Sequence, residues 1–316
     1  MAARLLDTTR ILAFDFDLCV CDGTGLFELF IQLLDIYQFT QLNKADQDQM
    51  SNPLPADFIN AVEKAYTSLA FDVAAAIKNQ ELWLVRPGME QVFDVAQRMR
   101  QKGYLDYIMF YSNNSVPEFL SFVELVIRLA NLNRFSTKKP VVSLIFTAET
   151  SSRMKVERAP VGHPNAREKT KMGILQCLED LDLPVSKSPE ILFFDDMNHK
   201  GLGHSLKQVE PYYTLSTAEQ VHKVFFDSME KSGLYKKGAL RTEWQNLGIK
   251  NSLMKHTAAD FMDWIKNLKM PIMLDGSQLI KEKSISDRMA TEIYEFCGVQ
   301  AVNKSKSRKR RGKYIK

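Results

Sequence analysis

The sequence is poor in cysteine, with four residues of this type among 316. They stand at positions 19, 21, 177 and 297, and no two of them form the Cys-x-x-Cys pair of zinc ribbons and thiol redox sites. Cysteines this scattered also exclude the disulfide framework of a small secreted domain. We therefore expect the protein to work in a reducing compartment, cytoplasmic or nuclear.

Long hydrophobic runs are lacking as well. No apolar stretch approaches the length of about 18 residues that a membrane-spanning helix needs. The first ten residues do not show the charged-then-apolar order of a secretory signal. These features predict a soluble protein with no membrane partner.

Neither sign of charge dominates the body of the chain. Lysine and arginine total 42 against 38 aspartates and glutamates, but eight of the cations lie in the last 14 residues, 303–316. The rest of the chain is mildly acidic, which argues against a basic nucleic-acid-binding domain. The tail is predicted to be disordered. Three interpretations of it stay open: a nuclear address read by an import receptor, a weak nucleic-acid contact, and a solvated end.

Short apolar runs alternate with amphipathic stretches along most of the chain. The runs predict strands at 11–14, 107–111, 141–146, 191–194 and 212–215. Apolar residues at helical spacing predict helices at 89–99, 118–132 and 172–181. This alternation predicts an α/β fold, a doubly wound parallel sheet with helices on both faces.

Two segments do not fit the alternation. Residues 25–81 predict two or three helices inserted directly after the first strand, and residues 230–302 predict a helical extension. The sequence thus predicts a core formed by 1–24 and 82–229, an inserted helical cap at 25–81, the extension, and the basic tail.

The first predicted strand runs into two acidic residues, Asp15 and Asp17, with Phe16 between them. Ligands of parallel sheets bind beyond the carboxyl ends of the strands, so this pair marks a candidate site. Strand alternation would direct the two side chains to opposite faces. Both can serve one site only if the backbone turns here, and a solvated strand end is the alternative interpretation.

Polar residues follow two further predicted strands. Ser112 and Asn113 lie between a strand and a helix, where hydroxyl, amide and free N–H groups suit a phosphate. Asp195 and Asp196 follow the strand at 191–194. Adjacent carboxylates at a buried strand end repel each other unless a cation is present, and such oxygen ligands suit Mg²⁺. The histidines show no metal-ligand spacing, and His199 is expected at the surface.

Two lysines, Lys169 and Lys171, lie at the start of the predicted helix at 172–181. A lysine at a helix start opposes the helix dipole, which suggests a task other than helix formation. Apolar residues follow Lys171 three, four and seven positions later, on one helix face. We therefore favour Lys171 as the lysine that faces the site, and Lys169 stays the alternative.

Together, these four clusters resemble the motifs of the haloacid dehalogenase-like (HAD) superfamily of phosphohydrolases. The segment Asp15-Phe16-Asp17-Leu18-Cys19-Val20 is similar to the first motif, DxDx(T/V)(L/V). The second motif is matched by Ser112, the third by Lys171 or Lys169, and the fourth by Asp195-Asp196. The resemblance covers roughly residues 8–222 without the inserted helices, and it implies a HAD-like Rossmannoid core.

One branch of the superfamily is the most similar. Arg86-Pro87-Gly88-Met89 before a helix and Phe194-Asp195-Asp196 look like the Mg²⁺-dependent protein phosphatases, a branch that includes phosphatases of the RNA polymerase II carboxy-terminal domain. Those enzymes show DxDxT(L/V), whereas Cys19 stands at the threonine position here. A helical cap is more typical of members that hydrolyse small phosphorylated metabolites. The resemblance therefore implies a phosphorylated protein or a small phosphorylated substrate.

The resemblance also implies a mechanism, in which a phosphomonoester is hydrolysed through an aspartyl phosphate. Asp15 would be the nucleophile, and Asp17 would be the general acid and then the general base. Mg²⁺ would be held by Asp15, the main-chain carbonyl of Asp17, and Asp195, with Asp196 acting through water.

The phosphate contacts follow from the same resemblance. Ser112 would donate a hydrogen bond to a phosphoryl oxygen, and Lys171 would offset the negative charge of the phosphoryl oxygens. Asn113 would either join them or cap the loop. Other functions stay open: a small-metabolite phosphatase or a phosphomutase of the same superfamily, and a binding protein that keeps the fold without the activity.

Overall fold

The computed structural model describes residues 8–23, 56–130, 140–158, 167–233 and 276–299, and seven residues scattered between 26 and 37. The basic tail at 303–316 and most of the predicted extension lie outside the described residues, as do the predictions made for them.

A five-stranded sheet forms the centre of the fold, and all its neighbouring strands are parallel. The strands are β1 (Arg10–Phe14), β2 (Tyr107–Tyr111), β3 (Leu144–Phe146), β4 (Glu190–Asp195) and β5 (Leu206–Gln208). Their order is β3-β2-β1-β4-β5, so β1 lies between β2 and β4. The predicted α/β class with a parallel sheet is confirmed. This strand order is compatible with a Rossmann-like fold, in which ligands bind where the order reverses.

Helices connect most of these strands. They are α1 (Ala56–Lys78), α2 (Met89–Gln101), α3 (Pro117–Ala130), α4 (Ser151–Val156), α5 (Lys171–Glu179), α6 (Ala218–Ser232) and α7 (Gly276–Phe296), with a 3₁₀ helix at Lys200–Ser205. The helices predicted at 89–99, 118–132 and 172–181 are confirmed within a few residues. None of the helices in the described ranges is long and apolar enough to cross a membrane.

Side-chain alternation in β1, β2 and β4 separates two hydrophobic cores. On one face, the even-numbered β1 residues Leu12 and Phe14 pack with apolar residues of α1, α2, α3, α6 and α7. On the other face, Ile11 and Ala13 pack with α5 and the 3₁₀ helix. Helices therefore cover both faces of the sheet, and the strand ends are left to form a site.

The described part of the predicted cap contributes to the larger core. Helix α1 packs against α3 and α6, with buried residues that include Phe58, Val62 and Leu69. Helix α7 packs against α2 in the same core. Gly88 permits this contact, because a Cβ there would lie 2.8 Å from the Cβ of Ser286. Both added segments thus support the layer that covers the sheet.

The strand predicted at 212–215 was wrong, since the fifth strand lies at Leu206–Gln208. Tyr212 and Leu215 pack with Trp83 in a small separate core. Thr214 Oγ1 donates to the Trp83 carbonyl at 2.9 Å, and its backbone N–H donates to Asp22 Oδ2 at 2.8 Å. The apolar run therefore reflects burial, and the backbone N–H of Thr214 bonds to a side chain instead of to a neighbouring strand. The run at 141–146 is a strand only from Leu144.

Candidate functional site

A turn directly after β1 brings Asp15 and Asp17 to one site. Asp15 still pairs with the sheet, since its N–H donates to the Phe194 carbonyl at 2.8 Å. The chain then reverses at Leu18, whose φ of 58° is uncommon for a residue with a side chain. Its N–H donates to the Cys21 carbonyl at 2.9 Å. The backbone turn that the sequence analysis required is therefore present.

The polar clusters of the sequence meet in one cavity at the carboxyl end of the sheet. The cavity has a volume of about 310 Å³, at the small end of the range for ligand pockets. Its polar lining comes from the residues that directly follow β1, β2 and β4 and from the segment before α5, and includes Asp15, Asp17, Ser112, Asn113, Lys169 and Asp196. Chain topology thus gathers residues that are up to 181 positions apart in sequence.

Lys169 is the lysine of this site. Its Nζ lies 2.7 Å from Asp15 Oδ1 and 2.7 Å from Asp195 Oδ2, and the residue is 1% exposed. Lys171 is exposed and borders a separate groove on the outside of α5. Our preference for Lys171 is therefore corrected in favour of Lys169.

The helix cap explains this correction. Thr170 is the N-cap of α5, where its side chain accepts a hydrogen bond from the Gly173 N–H. The buried face of α5 consists of Gly173, Ile174, Cys177 and Leu178. Lys171 in the first helical position lies outside that face, whereas Lys169 precedes the cap and enters the cavity. The Thr170 cap is the sequence signal that distinguishes the two lysines.

Three carboxylates of the site could hold a metal ion. Oxygen atoms of Asp15, Asp195 and Asp196 lie within 4.8 Å of one another. Asp15 Oδ1 is buried, and among the described residues it has an ion-pair contact with Lys169 but no hydrogen bond of good geometry. That atom therefore retains capacity for a further ligand. The Asp17 side chain is not part of this trio, and the Mg²⁺ contact expected of its main-chain carbonyl stays a prediction.

Burial and repulsion between neighbouring carboxylates raise the pKa of three acids in the cavity. Burial, with the charge of Asp15 as the next cause, raises the pKa of Asp17 to about 7. Burial and the charges of Asp15 and Asp195 raise the pKa of Asp196 to about 6. Burial also raises the pKa of Asp15, although Lys169 opposes this. Four carboxyl groups therefore share the described site with one lysine, and burial disfavours the state in which all four are charged.

Asp195 and Lys169 form the ionised pair of the site. Burial disfavours the charged form of Asp195, but contacts with His199 and Lys169 outweigh it and lower the pKa of this carboxyl. Burial alone would lower the pKa of Lys169, but Asp15 and Asp195 raise it above its ordinary value. Lys169 is therefore a fixed cation among the carboxylates.

His199 was wrongly expected at the surface. It is 4% exposed, and its Nδ1 accepts a hydrogen bond from the Lys169 N–H at 3.2 Å. Its Nε2 lies 3.3 Å from Asp195 Oδ2. The ring thus joins the segment that carries Lys169 to the end of β4. Its position three residues after the Asp195-Asp196 pair was the available sequence signal.

The loop after β2 supplies Ser112 and two asparagines. Ser112 is fully buried, and its Oγ accepts a hydrogen bond from the Asn114 N–H at 3.2 Å. Asn113 Nδ2 donates to the Arg167 carbonyl at 2.9 Å. Asn114 Nδ2 donates to Asp17 Oδ1 at 3.4 Å. Asn113 therefore helps to fix the loop, as one of its two interpretations held, and Asn114 contacts an acid of the site.

Arg86 braces the turn that follows Asp17. The residue is fully buried, and its guanidinium donates to the carbonyls of Cys19 at 2.8 Å and Leu18 at 3.0 Å. It also donates to Glu282 of α7 at 2.8 Å. In the sequence, Arg86 is recognisable only as part of a motif, and nothing there predicts its partner on α7.

No protein-family model, curated protein or solved structure matches this chain. The functional interpretation of the cavity therefore depends on its own residues and their geometry.

The raised pKa of Asp17 predicts a pH-dependent gain in stability for Asp17→Asn. When a carboxyl has a higher pKa in the folded state than in the unfolded state, the folded protein loses stability as the pH rises from the ordinary pKa, near 4, through about 7. Asparagine removes that loss and can still accept from Asn114. We expect the variant to be more stable than the wild type by roughly 2 kcal/mol at pH 8 and equal to it at pH 4.

Urea unfolding at both pH values, in the presence of a chelator, checks this expectation. A wild type that gains stability between pH 4 and pH 8 relative to Asp17→Asn would contradict the assigned direction of the shift.

Proposed function

We propose that the cavity is the active site of a Mg²⁺-dependent phosphatase that hydrolyses a phosphomonoester through an aspartyl phosphate. The observation that carries this proposal is the meeting of Asp15, Lys169 and Ser112 with the Asp195-Asp196 pair at one end of the sheet. A nucleophile, a cation and a hydroxyl donor are the groups that phosphoryl transfer needs. The HAD-like motifs of the sequence support the same roles, with Lys169, the alternative to Lys171, as the lysine.

The donor set fits Mg²⁺. Asp15, Asp195 and Asp196 offer only oxygen ligands, which this cation prefers. Burial, with repulsion between the carboxylates as a further cause, raises the pKa values of Asp15 and Asp196, and a bound cation would oppose both effects. When bound, the cation would offset the repulsion between the carboxylate nucleophile and the phosphate.

Asp15 is the proposed nucleophile. Its backbone is fixed to β4 by the hydrogen bond to the Phe194 carbonyl, and Lys169 holds its Oδ1. A carboxylate oxygen would attack phosphorus as the bond to the leaving oxygen breaks, which splits the hydrolysis into two displacements. Water would then attack phosphorus of the aspartyl phosphate, releasing inorganic phosphate and restoring Asp15.

Asp17 is the proposed general acid and base. Its pKa of about 7 lies near the pH at which most enzymes work, where one group can donate and accept a proton with little cost. It would protonate the leaving oxygen in the first displacement and take a proton from the attacking water in the second. Asn114 orients the carboxyl through its contact with Oδ1.

Lys169 and Ser112 are the proposed phosphate contacts. Lys169 would offset charge on the phosphoryl oxygens in the transition state, when negative charge spreads over them. The Ser112 hydroxyl would donate to one of these oxygens. Both side chains line the cavity beside Asp15.

We propose a phosphoprotein as the substrate. Apolar side chains border the cavity next to these polar groups, among them Leu18, Phe27 and Met197, and Met197 is 56% exposed. They support a leaving group with apolar surface beside the phosphate, as in phosphotyrosine. A small phosphorylated metabolite is the alternative, because the chemistry at phosphorus would be the same.

Phosphate release from an aryl phosphate tests the proposal. We expect turnover by the wild type with Mg²⁺, no turnover with a chelator, and none by Asp15→Asn, which is nearly isosteric but cannot form the intermediate. Lys171→Met, at the exposed lysine, is the control and should keep the wild-type rate. Absence of turnover by the wild type on the aryl phosphate, on phosphopeptides and on small phosphorylated metabolites would favour the binding-protein interpretation.

A further inference from the structure

A completely buried ion pair lies behind the site. Arg153 Nε is 2.9 Å from Glu157 Oε2, and neither side chain is exposed. Such a pair adds little net stability over apolar residues of similar size, because both charges lose their hydration. Neither residue is among the described ones that line the cavity. The remaining hydrogen bonds of the pair therefore indicate what it does.

Arg153 holds the loop that carries Ser112. Its Nη1 donates to the Ser112 carbonyl, and its Nη2 donates to Asn113 Oδ1 at 2.8 Å. The guanidinium also lies over the ring of Tyr111, the last residue of β2, at 4.1 Å. One planar group thus fixes three successive residues, which a lysine could not do because its three N–H donors share one nitrogen and it has no planar face.

Glu157 holds the segment that carries Lys169. Its Oε1 accepts hydrogen bonds from the Thr170 N–H at 2.7 Å and from the Thr170 hydroxyl at 3.2 Å. The same oxygen accepts from the Tyr111 hydroxyl at 2.7 Å. Because Thr170 is adjacent to Lys169 and caps α5, this carboxylate fixes the point from which the lysine enters the cavity.

Two further features link the loop of Ser112 to the segment of Lys169. Asn113 donates to the Arg167 carbonyl at 2.9 Å, and Arg167 Nη1 donates to the Glu157 carbonyl. Gly173 provides the space, since a Cβ there would overlap Glu157 Oε1 and the Tyr111 hydroxyl. A glycine weakens a helix relative to alanine, and at this position it makes room for the buried carboxylate.

We infer that Arg153 and Glu157 are positioning residues, which hold Ser112 and Lys169 at a fixed separation so that both contact one phosphoryl group. The inference rests on the proposed phosphatase function for its catalytic consequence. Its structural part, the coupling of the two segments, stands on the hydrogen bonds alone. Displacement of a catalytic group by about 1 Å can lower a rate by about 100-fold.

Arg153→Lys is the primary variant, because it keeps the charge and removes the planar set of donors. Arg128→Lys is the matched control, since Arg128 forms an i,i+4 pair with Glu124 on α3 and neither residue lines the cavity. With an aryl phosphate and Mg²⁺, at a temperature where both variants are folded, we expect kcat/KM to fall about 100-fold for Arg153→Lys. The control should stay within about two-fold of the wild type.

Hydrogen exchange measures the coupling without reference to activity. In Arg153→Lys, peptides covering 110–116 and 167–173 should exchange faster together, whereas Arg128→Lys should leave both unchanged. If Arg153→Lys does not fold, Tyr111→Phe replaces it, because that variant removes one hydrogen bond to Glu157 and keeps the ring. We then expect the same two peptides to respond and kcat/KM to fall a few-fold.

The outcomes separate this inference from the proposed function. Faster exchange in both segments with a lower kcat/KM supports both. Faster exchange in both segments of a protein whose wild type hydrolyses no phosphomonoester supports the coupling and contradicts the phosphatase proposal. Exchange that changes in one segment or in neither overturns the inference, as does an unchanged kcat/KM in a variant whose two segments have loosened.

Discussion

Lys169→Met is expected to lower kcat/KM for an aryl phosphate by about 1,000-fold. Lys169 Nζ lies 2.7 Å from carboxylate oxygens of both Asp15 and Asp195, so its loss removes the cation that we propose contacts the phosphoryl oxygens. It also leaves two buried carboxylates without their ammonium partner. Asp15, the proposed nucleophile, would then be protonated over a wider pH range, because burial already raises its pKa.

Lys171→Met is the matched comparison for this prediction. Lys171 is exposed at the first position of α5, two residues from Lys169, and the same substitution there should leave kcat/KM within about two-fold. Circular dichroism and the thermal midpoint establish that both variants are folded at the assay temperature. A large loss at Lys171 with little loss at Lys169 would restore the original preference of the sequence analysis.

Arg86→Leu is expected to destabilise the protein by about 4 kcal/mol. The substitution leaves Glu282 as a buried carboxylate without its partner, since the pair is 2.8 Å apart and Arg86 is fully buried. It also removes the donor to the carbonyls of Leu18 and Cys19. Activity should fall as well, because these carbonyls belong to the turn that positions Asp17.

A double variant tests the assignment of this cost. Arg86→Leu with Glu282→Leu removes both charges, so it should recover part of the lost stability. The recovery should be incomplete, because the carbonyls of Leu18 and Cys19 still lose their donor. Lys281→Ala is the control, since Lys281 joins α7 to Glu210 through a pair in which each side chain is 56% exposed. If urea unfolding gives Arg86→Leu the same midpoint as Lys281→Ala, then Arg86 does not stabilise the turn as we expect.

Sequence reasoning locates the strand-end residues of the site for a simple physical reason. The carboxyl ends of parallel strands meet at one edge, so Asp15, Ser112 and Asp195 must be near each other once the strands are recognised. The positions of β1, β2 and β4 follow from continuous apolar runs, which parallel strands buried on both faces require. The roles of these residues stay predictions.

The residues that sequence reasoning missed act through long-range partners. Arg86 and Glu282 are 196 positions apart, and no periodicity in the chain relates them. Arg153 and Glu157 have ordinary helical spacing, which is typical of a solvated surface pair, and only the tertiary structure makes the pair buried. The error at Lys171 is local, because one capping residue, Thr170, sets where the helix begins.

The run at 212–215 shows another limit of pattern reading. Apolar residues mark burial, but a strand also needs a backbone partner, and Thr214 finds side-chain and loop partners instead. Burial could be predicted there, whereas the secondary structure could not.

Trapping of the covalent intermediate tests the central claim most directly. The wild type is incubated with Mg²⁺ and an aryl phosphate, quenched in borohydride, which reduces an aspartyl phosphate to homoserine, and digested for mass spectrometry. The account predicts homoserine at Asp15, only when substrate and Mg²⁺ are both present. Phosphate release with an unmodified Asp15, or with homoserine at Asp17, Asp195 or Asp196 instead, would contradict it.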